Sequence, residues 1–294
     1  MAAWAIQSLS AYAGSTHVAV AANFTDAAKE IAAAFRLKTG HEAVLSFGSS
    51  GQLLTQIQQG APFKIFLSAD DERPKALVAQ GLGLAETRFT YALGKLVVWS
   101  KDPTFMKDES TLRAQAFSKI AIANPAAAPY GAAALEVLKS LKLDEALKAK
   151  IVMGNSIAQT FQFIETGNAE LGFVALSQVS GTISGSRWLV PQNLYKPITQ
   201  DAVLLKKGEA ELGIAAELDG DQRGRAERAG HGETRGDQLA KRAPDDPDVP
   251  VGQVFCLAAQ QIRGHDGVQP QHDEGESRDG NAGEHGLLPR NCAG

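Results

Sequence analysis

The feature that most constrains this chain is a unit that occurs twice in immediate succession between His17 and Gly60. Each copy is a short apolar run, a turn of small residues, and a stretch with helical spacing. In the first copy His17-Val18-Ala19-Val20-Ala21 is short, apolar and partly β-branched, which predicts a buried strand. Ala21-Ala22-Asn23-Phe24-Thr25 is the turn. Asp26 to Lys38 then places Ala28, Ile31, Ala32 and Phe35 on one helical face, with Gly40 at the C-cap position. In the second copy Glu42 to Phe47 predicts a strand, Gly48-Ser49-Ser50-Gly51 a tight turn, and Gln52 to Gln59 a helix closed by Gly60. Such units build an α/β sheet, and they also favour one kind of chemistry. The first turn of a helix presents unpaired N–H groups, and its dipole attracts negative charge. Asn23 and Ser50 are expected to cap these helices and to donate to a ligand from the same positions.

The pattern continues. Ile65 to Ala69 predicts a third strand. Asp70-Asp71-Glu72 could suggest a metal site, but acidic residues before a helix starting near Pro74 are expected as caps. That helix should run to Gln80. Phe89 to Leu93 and Lys95 to Ser100 predict strands on either side of Gly94. A second α/β series follows: a strand at Ile120 to Ala123, a loop with two prolines to Gly131, and a helix from Ala132 to Leu141. Then come a strand at Ile151 to Met153, the turn Gly154-Asn155-Ser156, a helix from Ile157 to Glu165, and strands at Leu171 to Ala175, Trp188 to Val190 and Ala202 to Leu205. This divides the chain into residues 15–93 as a first lobe, 94–197 as a second, and 198–209 as a strand returning to the first.

The ends differ in character. Residues 1–14 resemble the tail of a signal peptide: Ala11-Tyr12-Ala13 has the small-x-small pattern that precedes cleavage, although no Lys or Arg opens the segment. Residues 210–294 hold one aromatic residue, Phe255, both cysteines and four of the six histidines, with no period of a helix or a strand. That composition predicts disorder, and its irregularity is what translation in a shifted reading frame would give. The histidines there lack metal-ligand spacing. The net charge of −4 argues against a nucleic-acid partner, and no apolar run reaches the ~18–20 residues of a membrane span.

Residues 15–207 contain no nucleophile elbow, no phosphate loop with its lysine and no zinc-protease motif. Their only histidines, His17 and His41, open a strand and occupy a turn. Ser49 and Ser50 therefore have no base at hand, and an enzyme is disfavoured. The positive signal is joint. Strand–turn–helix recurs with a small or capping residue at each junction: Asn23, Ser50, Tyr130 and the pair Ser156-Ile157. Ordinary capping explains any single junction. Four helix starts converging at the carboxyl ends of strands, without Lys or Arg among them, suit a small dianion held by neutral N–H and O–H donors.

At these residues the chain resembles a known family. Val18 to Phe24, Leu45 to Gly51, Gly60-Ala61-Pro62-Phe63, Leu67 to Asp71, Tyr91 to Ser100, and Ala123 to Gly131 together are similar to the periplasmic molybdate-binding proteins of ABC transporters. The likeness runs from about residue 17 to residue 208. It implies a two-lobed, type II periplasmic binding protein, α/β in class, with each lobe a mixed sheet flanked by helices and the oxyanion in the cleft between them. It implies molybdate and tungstate as ligands, bound by Asn23, Ser50, Tyr130 and the helix start at Ile157. It also implies delivery to a permease and its ATPase, a monomer, and no cofactor, free metal cation or covalent chemistry. Other oxyanions such as sulfate, an inactive product of a disrupted gene, and a hydrolase of phosphorylated substrates remain open. Three departures stand out. Ala175 replaces a ligand-contacting Tyr of some members, Lys64 replaces a usual Asp, and the apolar helix that should close the first lobe after Leu205 has no counterpart.

Overall fold

The computed structural model describes residues 14–208 apart from 182 and 183. The signal-like segment and the stretch beyond residue 209 lie outside the described residues.

Strand β1 (Ser15–Ala21) leads through a 3₁₀ turn (Ala22–Phe24) into helix α1 (Thr25–Thr39), and β2 (Glu42–Gly48) leads into α2 (Ser50–Gln58). Then follow β3 (Ile65–Leu67), α3 (Glu72–Ala79) and β4 (Phe89–Gly94). The second series is β5 (Leu96–Ser100), α4 (Glu109–Ala114), β6 (Ile120–Ala123), α5 (Pro129–Ser140), α6 (Asp144–Leu147), β7 (Ile151–Gly154), α7 (Ile157–Glu165), β8 (Leu171–Ala175), α8 (Leu176–Val179) and β9 (Ser186–Leu189). Strand β10 (Ile198–Leu204) returns to the first series.

The strands form two five-stranded sheets, ordered β2-β1-β3-β10-β4 and β7-β6-β8-β5-β9. In the first, β1 pairs parallel with β2 and β3, while β10 runs antiparallel to β3 and β4. In the second, β6 pairs parallel with β7 and β8, while β5 runs antiparallel to β8 and β9. Each lobe is thus a parallel trio extended by an antiparallel pair. Helices cover both faces of the trio, so its central strands are apolar throughout rather than alternating. Val18, Ala19 and Val20 on β1 are completely buried, as are Ile120 to Ala123 on β6. No helix among the described residues is long and apolar enough to cross a membrane.

Several local expectations shift. Helix α3 begins at Glu72, so Pro74 lies inside its first turn, where a missing N–H leaves no bond unmade. Asp70 accepts from the Arg73 N–H at 3.0 Å, as expected of an acidic residue at a helix start. Helix α5 begins at Pro129, three residues earlier than expected, with proline in the first turn. Gly131 permits this. A Cβ there would lie 2.1 Å from the Ala123 carbonyl oxygen, so only glycine lets α5 pack onto the end of β6. Strand β10 starts at Ile198, earlier than its apolar part suggests. Of the two histidines of the sheet region, His41 holds the chain through its ring, Nδ1 accepting from the Gly14 N–H at 2.9 Å, while His17 contributes its main-chain carbonyl, which accepts from the Lys64 N–H at 2.9 Å.

Candidate functional site

Five strand ends face one cleft of about 200 Å³, a volume that includes its open mouth. After β1 come Ala21, Ala22 and Asn23; after β2, Gly48, Ser49 and Ser50; after β3, Ala69. From the other lobe come Ala128, Pro129 and Tyr130 after β6, and Ile157 after β7. Ligands of open α/β sheets sit outside the carboxyl ends of parallel strands, and here two such sheets present theirs to each other. All four residues singled out in the sequence, Asn23, Ser50, Tyr130 and Ile157, are brought together. Ala175, at the end of β8, and Lys64 are not part of the lining.

The capping roles need correction. Ser49, not Ser50, is the N-cap of α2. Its hydroxyl accepts from the Gln52 N–H, and the Gln52 side chain accepts from the Ser49 N–H, which completes a capping box. Ser50 is therefore the first helical residue. Its Oγ accepts from the Ala69 N–H at 2.9 Å, which leaves the hydroxyl hydrogen for the cleft. Asn23 lies inside the 3₁₀ turn and makes no cap bond; its Nδ2 donates instead to Gln200 Oε1 at 2.8 Å. Its carbonyl accepts from Ser177 Oγ at 2.7 Å. Ser156 does cap α7, accepting from the Gln159 N–H at 3.2 Å. Ile157 and Ser50 thus occupy the first position of their helices, where a backbone N–H has no intrahelical acceptor.

Tyr130 contributes the largest polar group. Its hydroxyl accepts from Gln200 Nε2 at 3.3 Å, so its own hydrogen is free to donate. Burial pushes the Tyr130 hydroxyl far above the ordinary phenol range, and nearby Tyr195 adds to the effect. Burial does the same to Tyr91, with Tyr130, Asp70 and Asp201 adding. Both phenols stay protonated at any physiological pH. No charged side chain among the described residues lines the cleft. The two carboxylates that act on Tyr91 are already paired: Asp70 with Arg73, and the fully buried Asp201 with Arg88 and, at 2.7 Å, with Thr90 Oγ1. Such a shell offers hydrogen-bond donors without a countercharge. No group of three or more metal-binding side chains exists among the described residues.

The lobes also touch around the cleft. The Gly51 N–H donates to the Ala127 carbonyl at 2.9 Å, and Arg73 Nη2 to the Ala126 carbonyl at 3.0 Å. Sequence reasoning missed these groups, and it missed Ser49 and Gln200. Ser49 was visible as the first residue of a Ser-x-x-Gln capping box; Gln200, 177 residues from Asn23, gave no local signal.

Two lobes of this topology, meeting at a donor-lined and uncharged cleft, define a solute-binding protein. The sequence agrees: residues 16–216 match the model of the family described as bacterial extracellular solute-binding protein, and the chain belongs to that family. The molybdate-binding protein ModA of Rhodobacter capsulatus is 54% identical over 211 residues, covering 72% of this chain and 84% of that protein. That of Azotobacter vinelandii is 53% identical over 213 residues, covering 71% and 84%. The solved periplasmic molybdate-binding protein of Azotobacter vinelandii superposes with a TM-score of 0.64 at 42% identity, covering 67% of this chain and 90% of that one.

Proposed function

We propose that this protein captures molybdate, and with it tungstate, and delivers the anion to an ABC-type permease and its ATPase. The observation that carries the reading is the set of donors at four strand ends, two in each lobe. Asn23, Ser50 and Tyr130 face the cleft with Ile157 and no charged side chain. The high identity to two molybdate-binding proteins supports molybdate as the anion. Each hydrogen bond to a charged group contributes about 1.5–3 kcal/mol. Removing an ion from water costs several kcal/mol, so about half a dozen such bonds offset it. Ser50 and Tyr130 donate through hydroxyls, Asn23 through its second amide hydrogen, and the starts of α2 and α7 through backbone N–H groups. The donors are fixed on sheet ends and helix starts, which sets the radius of the shell. A smaller tetrahedral dianion cannot reach them all.

Binding is then the whole of the activity. The anion stabilises the arrangement in which both lobes contribute donors, and it shifts an open–closed equilibrium toward that state. The protein works in the periplasm as a monomer without a resident cofactor. Calorimetric titration with molybdate, tungstate and sulfate in one buffer tests this. Tight binding of the first two and much weaker binding of sulfate are expected. Equal affinity for sulfate would make it a general oxyanion receptor, and no heat with any of the three would remove the reading.

A further inference from the structure

Gln200 is absent from the cleft lining, yet it touches both lobes' donors. It is 3% exposed and lies on β10, where the pairing with β4 shifts register between Gln200 and Asp201. In an unbroken strand, two successive side chains point to opposite faces. Here both are buried, Asp201 against Arg88 and Thr90, and Gln200 beneath the cleft. A register shift of this kind re-aims a side chain. Gln200 Oε1 accepts from Asn23 Nδ2 at 2.8 Å, and Nε2 donates to the Tyr130 hydroxyl at 3.3 Å; the Tyr91 hydroxyl shares its one hydrogen between the Ser68 carbonyl at 2.9 Å and Gln200 Oε1 at 3.1 Å. Space for the last contact comes from Gly94, the end of β4. A Cβ there would fall 2.5 Å from the Tyr130 hydroxyl and 2.9 Å from Gln200 Nε2.

The direction of these bonds matters. Asn23 Nδ2 has only hydrogens to give, so the Gln200 atom facing it is oxygen. The nitrogen must then face Tyr130. A phenol that accepts from an amide N–H turns its own hydrogen elsewhere, and the open side of Tyr130 is the cleft. We infer that Gln200 is a positioning residue for oxyanion binding: it polarises the chain Asn23–Gln200–Tyr130 so that one group from each lobe donates to the same anion. This deepens the proposed function and rests on it. A carboxylate at this place would reverse the polarity, because it accepts from both sides and takes the phenol hydrogen for itself.

The test begins with molybdate titration of the unaltered protein; absence of binding there would sink the functional reading rather than this one. Given binding, Gln200→Met keeps the length and removes the bonds to Asn23, Tyr91 and Tyr130. It should weaken molybdate binding by about ten- to hundredfold, the worth of one donor to a charged group. In a Tyr130→Phe background, where only the Asn23 donor is left to orient, the same substitution should cost at least about threefold less than in the unaltered protein. An unchanged affinity in Gln200→Met, or an equal loss in both backgrounds, would overturn the inference. Gln200→Glu gives a second readout if the methionine variant folds poorly. Its binding should be poor at neutral pH and recover as the carboxyl takes up a proton, whereas the unaltered protein shows no such recovery. A pH-independent loss in Gln200→Glu would equally overturn it.

Discussion

Ser50→Ala separates what the serine does for the fold from what it does for the ligand. Its Oγ accepts from the Ala69 N–H at 2.9 Å, and Ala69 is buried. Alanine removes that acceptor and strands a buried N–H, at a cost of about 1–3 kcal/mol. For a chain of this size each kcal/mol lowers the melting temperature by about 2–4 °C, so a fall of about 2–12 °C is expected without ligand. The same substitution deletes the hydroxyl hydrogen that faces the cleft. Loss of one donor to a charged group, about 1.5–3 kcal/mol, raises the molybdate dissociation constant about 10- to 150-fold. Calorimetry reads the second effect and ligand-free melting reads the first, while the upward shift of the melt by molybdate must shrink in step with the affinity. A lower melting temperature with unaltered affinity would show that Ser50 only supports the β3 end and does not reach the anion. An unaltered melt would refute the bond to Ala69.

Other outcomes follow from the geometry. Tyr130 and Tyr91 remain protonated and no charged group lines the cleft, so molybdate affinity should be flat from about pH 6 to 9 in titrations at fixed ionic strength; a step in that range would point to an unassigned titrating group. The same two phenols titrate near pH 10 in the unfolded chain but much higher when buried, so the folded state holds more protons above that pH. Stability should be unaffected by them below about pH 10 and fall as pH rises beyond it, and alkaline melting curves would show this. Gly131→Ala should destabilise the protein by about 3 kcal/mol or more, because its Cβ meets backbone, the Ala123 carbonyl at 2.1 Å, and cannot be relieved by a side-chain rotation; denaturant unfolding measures it. Arg73→Met removes the bond across the cleft to the Ala126 carbonyl and should speed molybdate release about fivefold in stopped-flow displacement, with little change in the association rate.

Much of the fold was legible because its signals are local. Strands β6 and β8 and helix α7 fall on the residues that periodicity assigned. The misses have physical causes. Helices α4, α6 and α8 are only 4–6 residues long, too short to show a helical period. Helix α5 was read as starting late because Pro129 looks like a loop residue, whereas proline fits a first turn. Strand β10 hides its start because Thr199, Gln200 and Asp201 are polar; they are tolerated in a sheet centre only through partners such as Arg88, Thr90 and Tyr130, far away in sequence. The cleft was legible to the extent that it sits at β–α junctions, which a sequence displays. Which serine caps α2, and what holds Asn23, depended on contacts that only the folded chain makes.

The strand order carries a consequence for how the chain folds. Among the described residues strand β4 pairs only with β10, and the side of β3 away from β1 waits for the same strand. Thr90 and Asp201, which bond across this junction, are 111 residues apart. The second sheet, in contrast, is built entirely from the continuous stretch between β5 and β9. As the chain emerges from its amino end, the later half of the structure therefore has all its sheet strands first, and the earlier half waits with an open strand edge until residues 198–204 follow. Loop closure over that distance is slow, and an unpaired edge invites pairing with other chains. The ribosome delivers the first lobe before the second, but the topology requires the first to finish last.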